Sequence, residues 1–254
     1  MTGKPLDPNL HPLVDDGLLI PMGAYAGITS LNKYGRNPSC AAGAEEEIWN
    51  GSAVYTWPTT AVISHIEQAT DQAALRGVDV RVLGLDANYA EVDQLVTLNA
   101  TNTTTAVALT TPLLRVYFAE VQGATLATAA ITLHNVGDTI DYFVMPVGNN
   151  TTALGWYTVP AGKTAYMTNY WAHHNPTTGQ TFTSNLIRLR ARDNANGYAS
   201  KVVHQRGVPE DSGFRHPFTP YHKFSEKTDI ILTSAPVGAA ADVSAGFDLI
   251  LVDN

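Results

Sequence analysis

The chain reads as an all-β protein: an antiparallel β-sandwich or jelly roll behind an extended, irregular N-terminal arm. Three observations predict this. Apolar residues recur at every second position wherever the pattern is clear. Clusters of Gly, Asn, Asp and Pro separate those runs at short spacing. No amphipathic stretch is long enough for more than a turn or two of helix. The clearest run is Gly77 to Asn99, where Val78, Val80 and Val82 alternate with Asp79 and Arg81, and the alternation resumes through Val92, Val96 and Leu98. Successive strand side chains point to opposite faces, so the valines face a core while Asp79, Arg81 and Thr97 stay wet. Gly84, Asp86 and Asn88 supply the reversal.

In chain order, residues 1–55 differ from the rest. Pro5, Pro8, Pro12, Pro21 and Pro38, with Gly17, Gly23, Gly27 and Gly35, break any long regular element, yet the segment is apolar. Such chain needs partners for its backbone groups and lies along a surface. It is therefore expected to be an arm, with Leu13, Leu18, Leu19, Ile20, Met22, Tyr25, Ile28, Leu31 and Tyr34 as partner-binding anchors; a segment that wraps its own domain is the alternative. Glu45 to Glu47 form an acidic run before Ile48 and Trp49. Residues 56–254 are the body, read as a single unit because no linker-like break interrupts it; two β subdomains meeting near residues 148–154 are the alternative.

Strands are expected at Tyr55 to His65, in the hairpin, and at Leu113 to Val121, a nearly continuous apolar run for the middle of a sheet. Ala129 to Leu133 pairs with Ile140 to Val147 across Gly137. Trp156 to Val159, Thr164 to His174, Leu186 to Arg192 and Tyr198 to His204 follow, with Arg188, Arg190 and Arg192 expected on a wet face. Val208 to His222 is expected as a loop rich in His and Pro. Thr228 to Ser234 and Phe247 to Val252 complete about twelve strands.

Composition excludes several function classes. Charged residues make up only 15% of the 254, so Thr, Asn, Ser and Gln must supply the polar surface, which suits packing against other proteins. A net charge of −8 with no basic patch argues against a nucleic-acid partner, whose phosphates need clustered Lys and Arg. The single Cys40 forms no internal disulfide. The start MTGKPLDPNL lacks the apolar core of a secretory signal, and no run approaches the roughly 20 apolar residues of a membrane span.

Motifs for chemistry are weak. Gly162-Lys163-Thr164 resembles the tail of a phosphate loop, but Tyr157 stands where that loop needs glycine and a strand follows where it needs a helix. His173 and His174 point to opposite faces. His216 and His222 with a carboxylate would be a conceivable metal set, although local hydrogen bonding is the plainer reading. Asp86, Asn88 and Glu91 read as turn chemistry and not as a calcium loop. With no G-x-S-x-G elbow and no cysteine in a nucleophilic setting, the expectation is a protein that is not an enzyme, with no catalytic, cofactor-binding or metal residues and no cofactor.

Four stretches carry a resemblance: NPSCAAGAEEEIWNGSAVYTWPTTA (Asn37 to Ala61), GLDANYAEVDQLVTLNAT (Gly84 to Thr101), LLRVYFAEV (Leu113 to Val121) and YTVPAGKTAYMTNYW (Tyr157 to Trp171). In this order they resemble a family of virion structural proteins of tailed bacteriophages, particularly those of marine bacteria, with Asn50-Gly51-Ser52 departing slightly from that family's turn. The resemblance implies a place in the virus particle with no catalytic residue to carry over, and the leading expectation is a capsid decoration or cement protein, assembled in the host cytoplasm and located on the capsid surface. Its partners would be the major capsid protein and neighbouring copies of itself in a homo-oligomer, with a trimer favoured, and neither nucleic acid nor membrane. Alternatives are a tail, head-tail connector or fibre-base component, and a glycan-binding or glycan-cleaving sandwich in which Trp49, Trp57, Trp156 and Trp171 stack on sugars.

Overall fold

The computed structural model describes residues 16–51, 53–176, 184–209 and 212–254. They form an all-β, antiparallel architecture of two sheet pairs. The first sheet of the larger pair runs in the order β1 (Ile28–Cys40), β16 (Ala241–Asp253), β11 (Lys163–Pro176), β14 (Gly213–Phe224). The second runs β10 (Trp156–Thr158), β15 (Thr228–Val237), β12 (Ser184–Asp193), β13 (Lys201–Val208). Met167, Tyr170, Ile187, Leu189, Leu232, Phe247 and Leu249 fill the core of this pair.

The excursion over residues 49–154 builds the smaller pair. One sheet is ordered β6 (Val107–Leu113), β3 (Ile63–Gln68), β8 (Ile131–His134), β9 (Asp141–Met145), and the other β5 (Glu91–Thr97), β4 (Asp79–Leu85), β7 (Arg115–Val121). Its core holds Ile63, Ile66, Val80, Val82, Leu113, Val116, Leu133 and Phe143. Among the described residues, a short helix, α1 (Asp16–Leu19), precedes the first strand. No helix of the described residues is long and apolar enough to cross a membrane.

The register of β15 shows how the two pairs are joined. A short strand β2 (Glu46–Glu47) pairs Glu46 with Ser234 and Glu47 with Thr233. Ile48 donates its amide to Leu232, which donates in turn to Gly155. β10 then pairs Trp156 with Ile231 and continues to Thr158 opposite Asp229. Residues 46–48 and 155–158 therefore lie end to end along one edge of β15, as a single strand opened between Ile48 and Gly155 to let the smaller sandwich out. Gly155 closes the splice by donating to the Ile48 carbonyl at 2.8 Å.

Several sequence expectations are corrected here. Residues 28–40 are not irregular arm but a thirteen-residue strand paired along its length with β16. The strand was hidden because, apart from Cys40 at its end, its buried positions are Lys33, Gly35 and Asn37 rather than large apolar residues. Pro38 falls at the bulge between Asn37 and Cys40, where no ladder amide is needed. Most of Val208 to His222, expected as loop, lies in β14; Phe214, His216, Phe218 and His222 alternate inward, and an edge strand tolerates Pro217. Leu113 to Val121 is interrupted at Leu114, where β6 ends in one sheet and β7 begins in the other. Tyr55 to His65 is strand only from Ile63 onward.

Gly35 tests the splice. A Cβ there would stand 2.1 Å from the Gly155 amide nitrogen and 2.6 Å from the Ile48 carbonyl oxygen, both backbone atoms. Gly35→Ala is expected to destabilise by about 3 kcal/mol in urea unfolding, as overpacking does. At Gly207 a Cβ meets nothing within 4 Å, and Gly207→Ala should stay within about 0.5 kcal/mol of wild type. Equal stability of the two variants would contradict the tight splice.

Candidate functional site

The densest polar chemistry in the molecule lies where the two sandwiches meet. Asp229 on β15 is fully buried. One of its oxygens accepts from Arg115 Nε at 3.0 Å and from the Thr158 hydroxyl at 2.6 Å. The other accepts from Arg115 Nη2 at 3.0 Å, Arg192 Nη2 at 2.5 Å and the Asn194 amide at 2.9 Å. Arg115 comes from β7 in the smaller sandwich, and its Nη1 also donates to the carbonyls of Pro58 and Leu114. Trp57 lies across both guanidiniums, with its ring centre 5.1 Å from Arg115 Cζ and 4.6 Å from Arg192 Cζ. Glu47 fixes Trp57 by accepting from its indole nitrogen at 2.9 Å.

Alternation on β12 points Asn185, Ile187 and Leu189 inward and the arginines outward. Their face is not simply wet, as the alternation had suggested. Arg188 and Arg190 converge on Glu45 at 2.5 and 2.6 Å, Thr233 also donates to Glu45, and all three arginines of β12 are half-buried. Burial alone would raise Glu45, but the hydrogen bonds from Arg190 and Thr233 and the charges of Arg190 and Arg188 hold its carboxyl below the ordinary value. Burial would likewise raise Asp229, and Arg115, Arg192 and Thr158 outweigh it, leaving that carboxyl depressed. Each of these charges is saturated by the chain itself. The arrangement is suited to fastening.

A second tie lies nearby. Lys33 on β1 is buried, donates to the Tyr117 carbonyl on β7, and is lowered by that burial from 10.5 to about 7. Cys40 is also buried, and desolvation pushes its thiol up to about 12, which keeps it unreactive.

The histidines of the C-terminal half form a seam. His204 on β13 and His216 on β14 stack 4.2 Å apart, closing the side of the larger sandwich where two edge strands face each other. The Tyr170 hydroxyl meets His204 Nδ1 at 2.5 Å, and Phe218 packs against His216 and His222. Among the described residues no carboxylate converges with His216 and His222. His173 is exposed and His174 buried, on opposite faces. Gly162-Lys163-Thr164 leads into a strand, and Lys163 pairs with Asp253 at 2.7 Å. Asp86 accepts the amides of Asn88 and Ala90, which is turn chemistry. Trp49 and Trp156 are buried in the smaller core, Trp57 lies under the arginines, and Trp171 stacks on Tyr34 with ring centres 6.2 Å apart.

Of the expected arm anchors, Leu13 lies outside the described residues. Leu18, Met22 and Tyr34 are exposed, at 54%, 63% and 44%. Leu19 is buried, while Ile20, Tyr25, Ile28 and Leu31 are half-buried. Ile20 and Leu31 line a groove of about 500 Å³ together with Pro21, Tyr221 and Leu249. The Asp229 network leaves no signal in the sequence, because its members come from β7, β10, β12 and β15 and no linear spacing joins them. No family model matches the chain, and neither does any curated protein or solved structure.

The junction makes stability depend on pH in two windows. Asp229 is depressed, so its contribution is present above the ordinary aspartate value of about 4 and is lost as pH falls through its folded value. Lys33 is lowered, so the unfolded chain binds its proton more tightly and stability rises between about 7 and 10.5. Chemical denaturation across pH should show both rises. Asp229→Asn should remove the acid one and destabilise by about 3 to 5 kcal/mol at pH 7, since two arginines lose a buried partner. Lys33→Met should flatten the alkaline one. A flat wild-type profile from pH 7 to 10 would contradict the burial of Lys33.

Proposed function

We propose that this is a virion structural protein of a tailed bacteriophage, a capsid decoration or cement protein that bridges shell subunits. The observation that carries the reading is the division of its chemistry. The buried charges are spent on the protein's own junction, while Leu18, Met22 and Tyr34 are left exposed and Ile20 and Leu31 line an open groove. A decoration protein needs contact area and a stiff body, not a reactive cleft.

The strand order supports the finer reading of a jelly roll. Counting β2 and β10 as one strand, the larger sandwich has eight; one sheet holds the first, eighth, third and sixth, and the other holds the second, seventh, fourth and fifth. That is the order left when a long antiparallel ribbon is wrapped once around a barrel, the architecture of many viral shell domains. The smaller sandwich is then an outgrowth of the second strand. Fold alone never decides function, so the proposal stands on the contact surface as well. Bridging several shell subunits at once raises the cost of separating any pair without chemistry, because each further contact is made at high effective concentration. The burial of Trp49 and Trp156 removes two of the four rings on which a sugar-stacking alternative relied.

Because β1 belongs to the larger sheet, the useful truncation stops short of it. Deleting residues 1–26 spares every strand of the described residues and should leave a folded protein that no longer assembles as a trimer and no longer co-sediments with shells of its own phage. Co-sedimentation equal to wild type would remove the N-terminal segment from the contact. A few copies per purified particle instead of hundreds, by quantitative mass spectrometry, would move the protein from shell to tail.

A further inference from the structure

The smaller sandwich carries a group of side chains used by neither its core nor the junction. Glu67 at the end of β3, His134 at the end of β8 and Asp138 in the turn after it each offer one donor atom, and these atoms lie within 4.8 Å of one another. The register brings them together. His65 and His134 are direct cross-strand partners and their rings stack 5.8 Å apart, so Glu67, two residues beyond His65, lies diagonal to His134 on the same face. That face is opposite the one presenting Ile66 and Leu133 to the core. The turn returns Asp138 to His134, with Oδ1 3.6 Å from Nδ1.

Two independent observations say that something belongs there. His134 is 1% exposed; its Nδ1 meets the Asn135 carbonyl at 2.9 Å, and its Nε2 is buried with no hydrogen-bond partner. Native structures rarely leave such an atom unsatisfied, since its lost hydration is not repaid. The second observation is charge. Glu67 feels Asp138 and Asp141 as well as His134 and His65, and no lysine or arginine of the described residues pairs with any of these three carboxylates. Elsewhere the chain answers its clustered acids with arginine, as at Glu45 and Asp229. Here it supplies no cation of its own beyond what imidazole can carry.

We propose that Glu67, His134 and Asp138 bind a first-row divalent cation, with zinc the best match. One imidazole nitrogen with carboxylate oxygens is a zinc donor set, whereas calcium and magnesium favour oxygen alone. Three protein donors are one short of the four that zinc takes, and water fills the remaining position. The ion would brace the turn between β8 and β9 against β3 and neutralise an otherwise unanswered patch of acid. This inference rests on the smaller sandwich alone and is independent of any role in a shell.

The test is calorimetric titration of Zn²⁺, with Mn²⁺ and Ca²⁺ as parallel probes, into the chelator-stripped full chain, alongside thermal melts. The expected result is about one Zn²⁺ per chain and a raised melting midpoint. Glu67→Gln and Asp138→Asn should each weaken Zn²⁺ binding by about tenfold or more. Asp138 is exposed, so its variant should fold normally and keep the test clean. Absence of Zn²⁺ binding, undiminished binding in both variants, or tighter Ca²⁺ than Zn²⁺ binding would each overturn the proposal.

Discussion

One buried carboxylate sets the geometry of this molecule. Asp229 sits at the end of β15 with no exposure to solvent, and it is reached by an arginine from each sandwich, Arg115 from the smaller and Arg192 from the larger. Removing such charges from water costs several kcal/mol per ion, so the network is no net source of stability to be assumed. What it supplies is specificity. An arginine that finds its carboxylate only when the smaller sandwich is seated correctly penalises every other seating by leaving charges buried and unpaired.

The same constraint explains the splice beside β15. A strand opened in its middle would be a weak point, because its two halves are held by separate stretches of chain. Glycine at 35 and 155 lets backbone press on backbone there, and the Trp49, Tyr55 and Trp156 rings pack together just beyond the opening. Trp57 under the two guanidiniums and Lys33 against Tyr117 add ties on either side. The excursion is thus fastened by packing, hydrogen bonds and charge at once, and its far end is free to carry other chemistry.

Much of the fold was legible, and what was not has physical causes. The hairpin of β4 and β5 could be read because its valines face a core on one side and water on the other, so burial and hydropathy coincide. In β1 they do not coincide: Lys33, Gly35 and Asn37 point inward for close approach and hydrogen bonding, and the strand looked like irregular arm. In β14 the inward set mixes Phe with His, and the prolines suggested loop. The spacing of Phe214, His216 and Phe218 was the available signal. The insertion was invisible because it is a fact of pairing: nothing local tells Glu47 and Trp156 that they share a neighbour. The junction and the Glu67, His134 and Asp138 group were hidden for the same reason, since each gathers residues far apart in the chain.

Whether the two sandwiches behave as one body is the sharpest question that this geometry raises, and differential scanning calorimetry answers it. The expected result is a single transition whose calorimetric and van't Hoff enthalpies agree, with Arg115→Leu dividing it in two as the smaller sandwich is released to melt by itself. Two separate transitions in the unmodified protein, or a single undivided one in the variant, would contradict a junction held by Asp229.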